Sequence, residues 1–103
     1  MNSTLEILKA GRALITPAKA WTKGAYARDA AGFAVMPSNP AAVCFCSDGA
    51  LQHLAGRLPS VKAFGLLRVE CGIEGVGGFN DRSSHAKVLA MWDRVIAKQE
   101  AKA

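Results

Sequence analysis

The sequence has no long apolar segment, and this absence excludes a membrane-spanning helix from its expected structure. None of its apolar runs approaches the ~20 residues that are needed to cross a bilayer. Residues 1–6 also lack the basic region and the following apolar region of a secretory signal. We therefore expect a cytoplasmic protein with no membrane partner.

Cysteine is scarce, and its spacing argues against disulfides and metal binding. The sequence has three cysteines, Cys44, Cys46 and Cys71, and an odd number without a secretion signal is typical of reduced thiols. Alternate side chains of an extended segment point to opposite faces, so Cys44 and Cys46 are a poor disulfide pair. Their spacing is also too short for structural zinc, and the other candidate ligands, Cys71, His53 and His85, are not paired. We expect no metal and no cofactor.

Charge is also sparse, although it is mainly positive. The chain carries 13 Lys and Arg against 8 Asp and Glu, a net charge of +5, without a basic run longer than a pair. Nucleic-acid binding through Lys9, Arg12, Lys19 and Lys23 is therefore an alternative and not the leading hypothesis. Trp21 lies between two of these lysines in an irregular segment, where an exposed indole would act as a binding anchor.

The first half of the chain predicts a helix followed by a hairpin. Residues 3–6 form the capping-box pattern Ser-x-x-Glu, and the helix that they begin should end near Ile15 because Pro17 disfavours its continuation. Residues 24–28 and 33–36 flank a stretch with turn chemistry and predict a small two-stranded hairpin.

The second half predicts three more helices, separated by glycine-containing segments. We expect them at residues 47–56, at residues 60–72 and from about Ser84 onward, with a glycine-rich loop over residues 73–78. Half of all residues are hydrophobic and a fifth are charged, as in a folded protein. The predicted fold is mainly α: a compact single domain spanning residues 1–103, with about four helices and a small β-hairpin after the first.

Two thiols stand where the second helix is expected to begin, and one of them suggests thiol catalysis. A cysteine at a helix N-terminus feels the positive end of the helix dipole, which favours the thiolate. Cys46 would then be the nucleophile, His85 its base, and Asn80 or Asp81 the group that orients the imidazole. The structural interpretation is preferred: Cys46 is a small buried residue, and Asn80 and Asp81 make local turn and capping contacts.

Four motifs in a fixed order resemble an uncharacterised family of small bacterial and phage proteins, a domain of unknown function. They are Trp-Thr-Lys-Gly-Ala at 21–25, Ala-Arg-Asp-Ala-Ala-Gly at 27–32, Phe-Cys-Ser-Asp-Gly-Ala-Leu at 45–51 and Phe-Asn-Asp at 79–81. Phe45 stands where the family usually has Trp. The resemblance supports a single domain, brings no known activity, and implies a phage or mobile-element setting.

These observations lead to a non-catalytic binding or regulatory module as the first hypothesis for function. Its partner would be a protein or nucleoprotein, and the resemblance suggests an inhibitor of a host system. The residues assigned to binding are Trp21, Lys19, Lys23 and Arg12. The first alternative is a thiol hydrolase or transferase that uses Cys46, His85 and Asp81, and the second is nucleic-acid binding; whether the chain is an enzyme stays open, with a non-catalytic role preferred.

Overall fold

A computed structural model describes residues 3–55 and 60–102, and it confirms a mainly α-helical fold. The described elements, in chain order, are α1 (Thr4–Leu14), β1 (Ala27–Arg28), β2 (Ala34–Val35), β3 (Cys44–Phe45), α2 (Ser47–Ala55), α3 (Val61–Cys71), α4 (Gly75–Arg82) and α5 (His85–Lys102), with short 3-10 helices at Ala18–Ala20 and Gly72–Glu74. The radius of gyration is 12.6 Å, close to the ~13 Å of a 100-residue single domain.

The helix starts that were predicted from capping residues are confirmed. The Ser3 hydroxyl accepts a hydrogen bond from the Glu6 amide at 3.1 Å, and the Glu6 carboxylate accepts one from the Ser3 amide at 3.1 Å. The hydroxyls of Ser60 and Ser84 cap α3 and α5 by accepting the amides of Ala63 and Lys87. Helix α1 ends at Leu14, as expected before Pro17. The predicted end of α2 at Gly56 lies outside the described residues.

The predicted hairpin is confirmed, and a third strand extends it. The strand order is β2-β1-β3, with both pairs antiparallel. Ala27 pairs with Val35 on one side and with Phe45 on the other. Strand β3 was not expected, because a two-residue strand shows no alternation of apolar and polar side chains.

The core lies between the sheet and the helices, centred on one tryptophan. Trp92 of α5 is fully buried and packs with Leu8 of α1, Leu51 of α2 and Leu67 of α3 in one hydrophobic cluster. No helix in the described ranges is long and apolar enough to cross a membrane. Ala27 of β1 and Phe45 of β3 belong to the same cluster, so the sheet packs against the helices.

The predicted glycine-rich loop over residues 73–78 is wrong, because most of that segment belongs to α4. Gly72 and Gly75 have φ angles of 69° and 72°. These left-handed backbone conformations, which glycine adopts readily, allow the chain to change direction at the start of the short 3-10 helix and again just after it. Val76 and Asn80, four residues apart, are both buried on one side of α4. Tertiary burial of that side outweighs the low helix propensity of the glycines.

Candidate functional site

Asn80 is the centre of a buried hydrogen-bond network that joins four segments. Its side chain is fully buried, and Oδ1 accepts from the Ser47 amide at 3.1 Å and the Ser47 hydroxyl at 3.0 Å. Oδ1 also accepts from Nε1 of Trp21 at 3.0 Å, while Nδ2 donates to the Thr22 carbonyl at 3.1 Å. Nε1 of Trp92 donates to the Ser47 hydroxyl at 3.0 Å. The network therefore ties α4 to the segment before the sheet, to α2 and to α5.

Trp21, one of the predicted binding residues, is half-buried against the core and contributes to this network. Its indole N–H is bound to Asn80, and its ring stacks on the imidazole of His85 with 5.1 Å between centroids. Lys23 Nζ lies 5.9 Å from the centroid of the Trp21 ring, within cation–π distance. Lys19 is exposed. The role of Trp21 as an anchor for a partner stays a prediction.

Both histidine side chains bind backbone carbonyls. His85 Nε2 lies 2.7 Å from the Ile15 carbonyl, and His53 Nδ1 lies 2.7 Å from the Pro37 carbonyl. A carbonyl only accepts, so each of these nitrogens carries the proton. The His85 contact ties the first turn of α5 to the end of α1.

Cys46 is placed at the start of α2 as the sequence predicted, but its surroundings favour the protonated thiol. The side chain is 5% exposed, and this burial raises the pKa of Cys46 to about 11 in spite of a hydrogen bond from the Gly49 amide to the sulfur. The nearby carboxylates of Asp48 and Asp81 raise the pKa further. No hydrogen bond joins Cys46 to His85 in the described part of the chain. Thiol catalysis by Cys46 stays a prediction.

Alkylation of the folded protein tests the state of this thiol. With its pKa at about 11 and its side chain buried, we expect Cys46 to react with iodoacetamide at pH 8 at least tenfold more slowly than it does in urea, because the thiolate is the reacting form. Peptide mapping by mass spectrometry gives the rate, and the half-buried Cys44 of the same molecule is the internal control. A faster reaction at Cys46 than at Cys44 would instead support an activated nucleophile.

Two of the basic residues predicted to bind nucleic acid are paired with carboxylates. Arg12 donates to Asp93 through Nε at 3.0 Å and through Nη2 at 3.1 Å. Lys9 Nζ lies 3.0 Å from a carboxylate oxygen of Glu100. These pairs join α1 to α5 and offset part of the positive charge on that face. Nucleic-acid binding through these residues stays a prediction.

A cleft of about 820 Å³ lies between the hairpin and α4, and it was not expected from the sequence. The hairpin lines it with Tyr26 and residues 34–36, the start of α2 with Cys46, and α4 with Gly77 and Asp81. Tyr26 is 54% exposed and Met36 is 66% exposed. The continuous apolar run Phe33-Ala34-Val35-Met36 could have indicated this cleft. A hairpin strand that is covered on one face should alternate apolar and polar side chains, and this strand does not.

Gly49 allows one wall of this cleft to form. A Cβ atom built on Gly49 would lie 1.8 Å from the carbonyl oxygen of Tyr26. That same carbonyl accepts the Cys46 amide at 3.1 Å. The first turn of α2 is therefore in direct backbone contact with the segment that leads into β1.

Among the described residues, no group of three or more His, Cys, Asp and Glu side chains could hold a metal ion. In comparisons with known proteins, the model of a family of unknown function (DUF6197) matches residues 1–98. No curated protein and no solved structure matches the chain.

Proposed function

We propose that this chain, which belongs to the family of unknown function DUF6197, is a non-catalytic binding module for another protein. The observation that carries the proposal is the cleft between the hairpin and α4. It is mostly apolar, it opens to solvent, and it is lined by the exposed side chains of Tyr26 and Met36. Contiguous exposed apolar surface of this kind marks interaction sites in soluble proteins.

The state of the candidate catalytic residues supports a non-catalytic role. Cys46 has a raised pKa, and each histidine uses one ring nitrogen to donate a hydrogen bond to a backbone carbonyl. A nucleophile needs a base within hydrogen-bond reach or a lowered pKa. The cleft contacts Cys46 at its inner end, where the buried thiol is an apolar part of the wall.

A regulatory form of this function rests on the resemblance to bacterial and phage proteins. In that form the chain inhibits a host system by occupying a surface of one cytoplasmic host protein, alone or within a nucleoprotein. The small size of the domain suits such a role, since one cleft and its rim provide the whole contact.

Photo-crosslinking at the cleft tests whether a protein binds there. Benzoylphenylalanine replaces Tyr26 in one variant and Val61 in a matched control, because Val61 is 87% exposed on α3 and does not line the cleft. After irradiation in a lysate of the source cells, we expect discrete protein adducts at position 26 that added wild-type protein removes.

The control variant shows whether the adducts are specific to the cleft, and a nuclease step shows what kind of partner forms them. Equal adducts at positions 26 and 61, or none at position 26, would contradict a binding role for the cleft. Adducts that disappear after nuclease treatment would show that the partner is a nucleoprotein, and adducts that persist would show a direct protein contact.

A further inference from the structure

The outer edge of β2 presents unpaired backbone groups at Ala34. The Asp29 amide donates to the Phe33 carbonyl at 2.9 Å, so these two residues form a hydrogen-bonded pair. In an antiparallel ladder the next pair, Arg28 and Ala34, points its amides and carbonyls away from the ladder. The Arg28 carbonyl accordingly accepts from Val43 on the side of β3. The amide and carbonyl of Ala34 face the opposite edge, where no further strand lies among the residues that the structure describes.

The cleft reaches β2, the strand that carries this free edge. Ala34, Val35 and Met36 are consecutive, and all three line it. Successive side chains of a strand point to opposite faces, so a cleft against one face would contact only every second residue. Contact with all three residues indicates that the cleft takes in the backbone of β2 as well as its side chains.

Asp81 places one negative charge in this otherwise uncharged cleft. Its Oδ1 accepts the Gly24 amide at 3.0 Å and Nδ2 of Asn80 at 3.4 Å, and these contacts fix the carboxylate. Within residues 3–55 and 60–102, no hydrogen bond or ion pair involves Oδ2. The protein as a whole has a net charge of +5 and repels cations. The Asp81 carboxylate therefore gives the cleft a local preference for a positively charged group.

We propose that the cleft binds an extended segment of the partner protein that adds a strand to the edge of β2 and places a lysine or arginine against Asp81. This inference rests on the proposed function and specifies its partner. The segment pairs its backbone with Ala34, its apolar side chains lie against Val35 and Met36, and its cation contacts Asp81. Strand addition supplies affinity through the main chain, and side-chain contacts beside the edge supply specificity.

Selection from a displayed library of random heptapeptides on the wild-type protein provides the probe. We expect the enriched sequences to alternate apolar residues and to carry one Lys or Arg at a constant distance from them. A synthetic, end-blocked peptide of the best sequence is then compared with its Lys→norleucine analogue by fluorescence anisotropy. The lysine peptide should bind about tenfold more tightly, since it gains a charge-assisted hydrogen bond.

Two variants of the protein separate the charge from the backbone. Asp81→Asn should weaken the lysine peptide about tenfold and leave the norleucine peptide unchanged, because the amide oxygen still accepts from Gly24. Glu74→Gln changes the net charge equally outside the cleft lining and should leave both peptides within twofold. Ala34→Pro removes the free amide of the edge without touching the pairing with β1, and should weaken both peptides at least tenfold.

N-methylation of alternate peptide amides repeats the backbone test without altering the protein. Of the two peptides, one methylated at its odd-numbered and one at its even-numbered amides, the one whose methylated amides face β2 should lose binding. Peptides that show no preference for a cation, or that ignore Asp81→Asn, overturn the inference, as does binding that survives both Ala34→Pro and N-methylation. A library that yields no peptide overturns it as well. In each of these cases, adducts at position 26 would still support the proposed function, and their absence would remove both.

Discussion

Replacing Asn80 with leucine is expected to lower the free energy of unfolding by about 3–5 kcal/mol, since buried donors and acceptors then lose their partners at about 1–3 kcal/mol each. The substitution removes the acceptor of the Trp21 indole and of the Ser47 amide, both of which point at Oδ1. It also removes the donor to the Thr22 carbonyl. Urea denaturation followed by circular dichroism measures the change.

A matched control makes the size of this effect interpretable. Ser84→Ala removes an exposed cap of α5 and should cost only about 1 kcal/mol. If Asn80→Leu costs no more than Ser84→Ala, the network is not a major source of stability. A change in the urea m-value would instead indicate a change in the unfolded or native ensemble.

Asn80→Asp tests the same network through its dependence on pH. The new carboxyl keeps an acceptor for Trp21 but turns its second oxygen toward the Thr22 carbonyl and Asp81, which accept and do not donate. The donors Trp21 and Ser47 favour the carboxylate, but we expect burial and the facing Asp81 carboxylate to outweigh them and to raise the folded-state pKa of the new group above its unfolded value. The variant should therefore be nearest to wild type below the unfolded pKa, and should lose stability relative to it as the pH rises through the folded pKa.

Gly49→Ala is expected to destabilise the fold by at least about 3 kcal/mol, because the added methyl group overpacks a site that has no room for it. The new Cβ would lie 1.8 Å from the Tyr26 carbonyl oxygen, and a backbone atom yields less easily than the end of a side chain. The first turn of α2 must then move away from the segment before β1. The wall of the cleft would open at the same time, so binding of the selected peptide should fall together with stability.

Gly65→Ala is the matched control for this substitution. Gly65 also lies within a helix, and a Cβ there would meet nothing within 4 Å. It should raise stability by up to about 1 kcal/mol, the difference in helix propensity between the two residues. Thermal unfolding of both variants is the measurement, and a Gly49→Ala protein as stable as the wild type would contradict the close approach.

Structures whose cause is local could be predicted from the sequence. The Ser3–Glu6 capping box, the Ser60 and Ser84 caps, the end of α1 before Pro17 and the turn at residues 29–32 each depend on contacts within a few residues. The long stripe of α5 was predicted for a related reason, since helical spacing places its apolar residues on one side. These elements were enough to indicate a mainly α fold with a hairpin.

Structures whose cause is distant could not be predicted in this way. Strand β3 exists because β1 pairs with it, and α4 exists because Val76 and Asn80 are buried by the rest of the fold. Residues 79–81 were expected to make turn and capping contacts, whereas Asn80 binds residues 33 and 59 positions away along the chain. No pattern within the segment encodes such partners.

The candidate site divides along the same line. By itself, the sequence determined that Cys46 lies where α2 begins and that charge is sparse and mostly positive. It also determined that a first helix is followed by a hairpin and then by further helices. Only the tertiary structure decided that Cys46 is buried and held protonated, and that the histidines bind backbone carbonyls. It also brought Asp81 of α4 to the same cleft as the edge of β2. The reason is physical: local propensity depends on neighbouring residues, whereas burial, pKa and the meeting of distant side chains depend on how the whole chain packs.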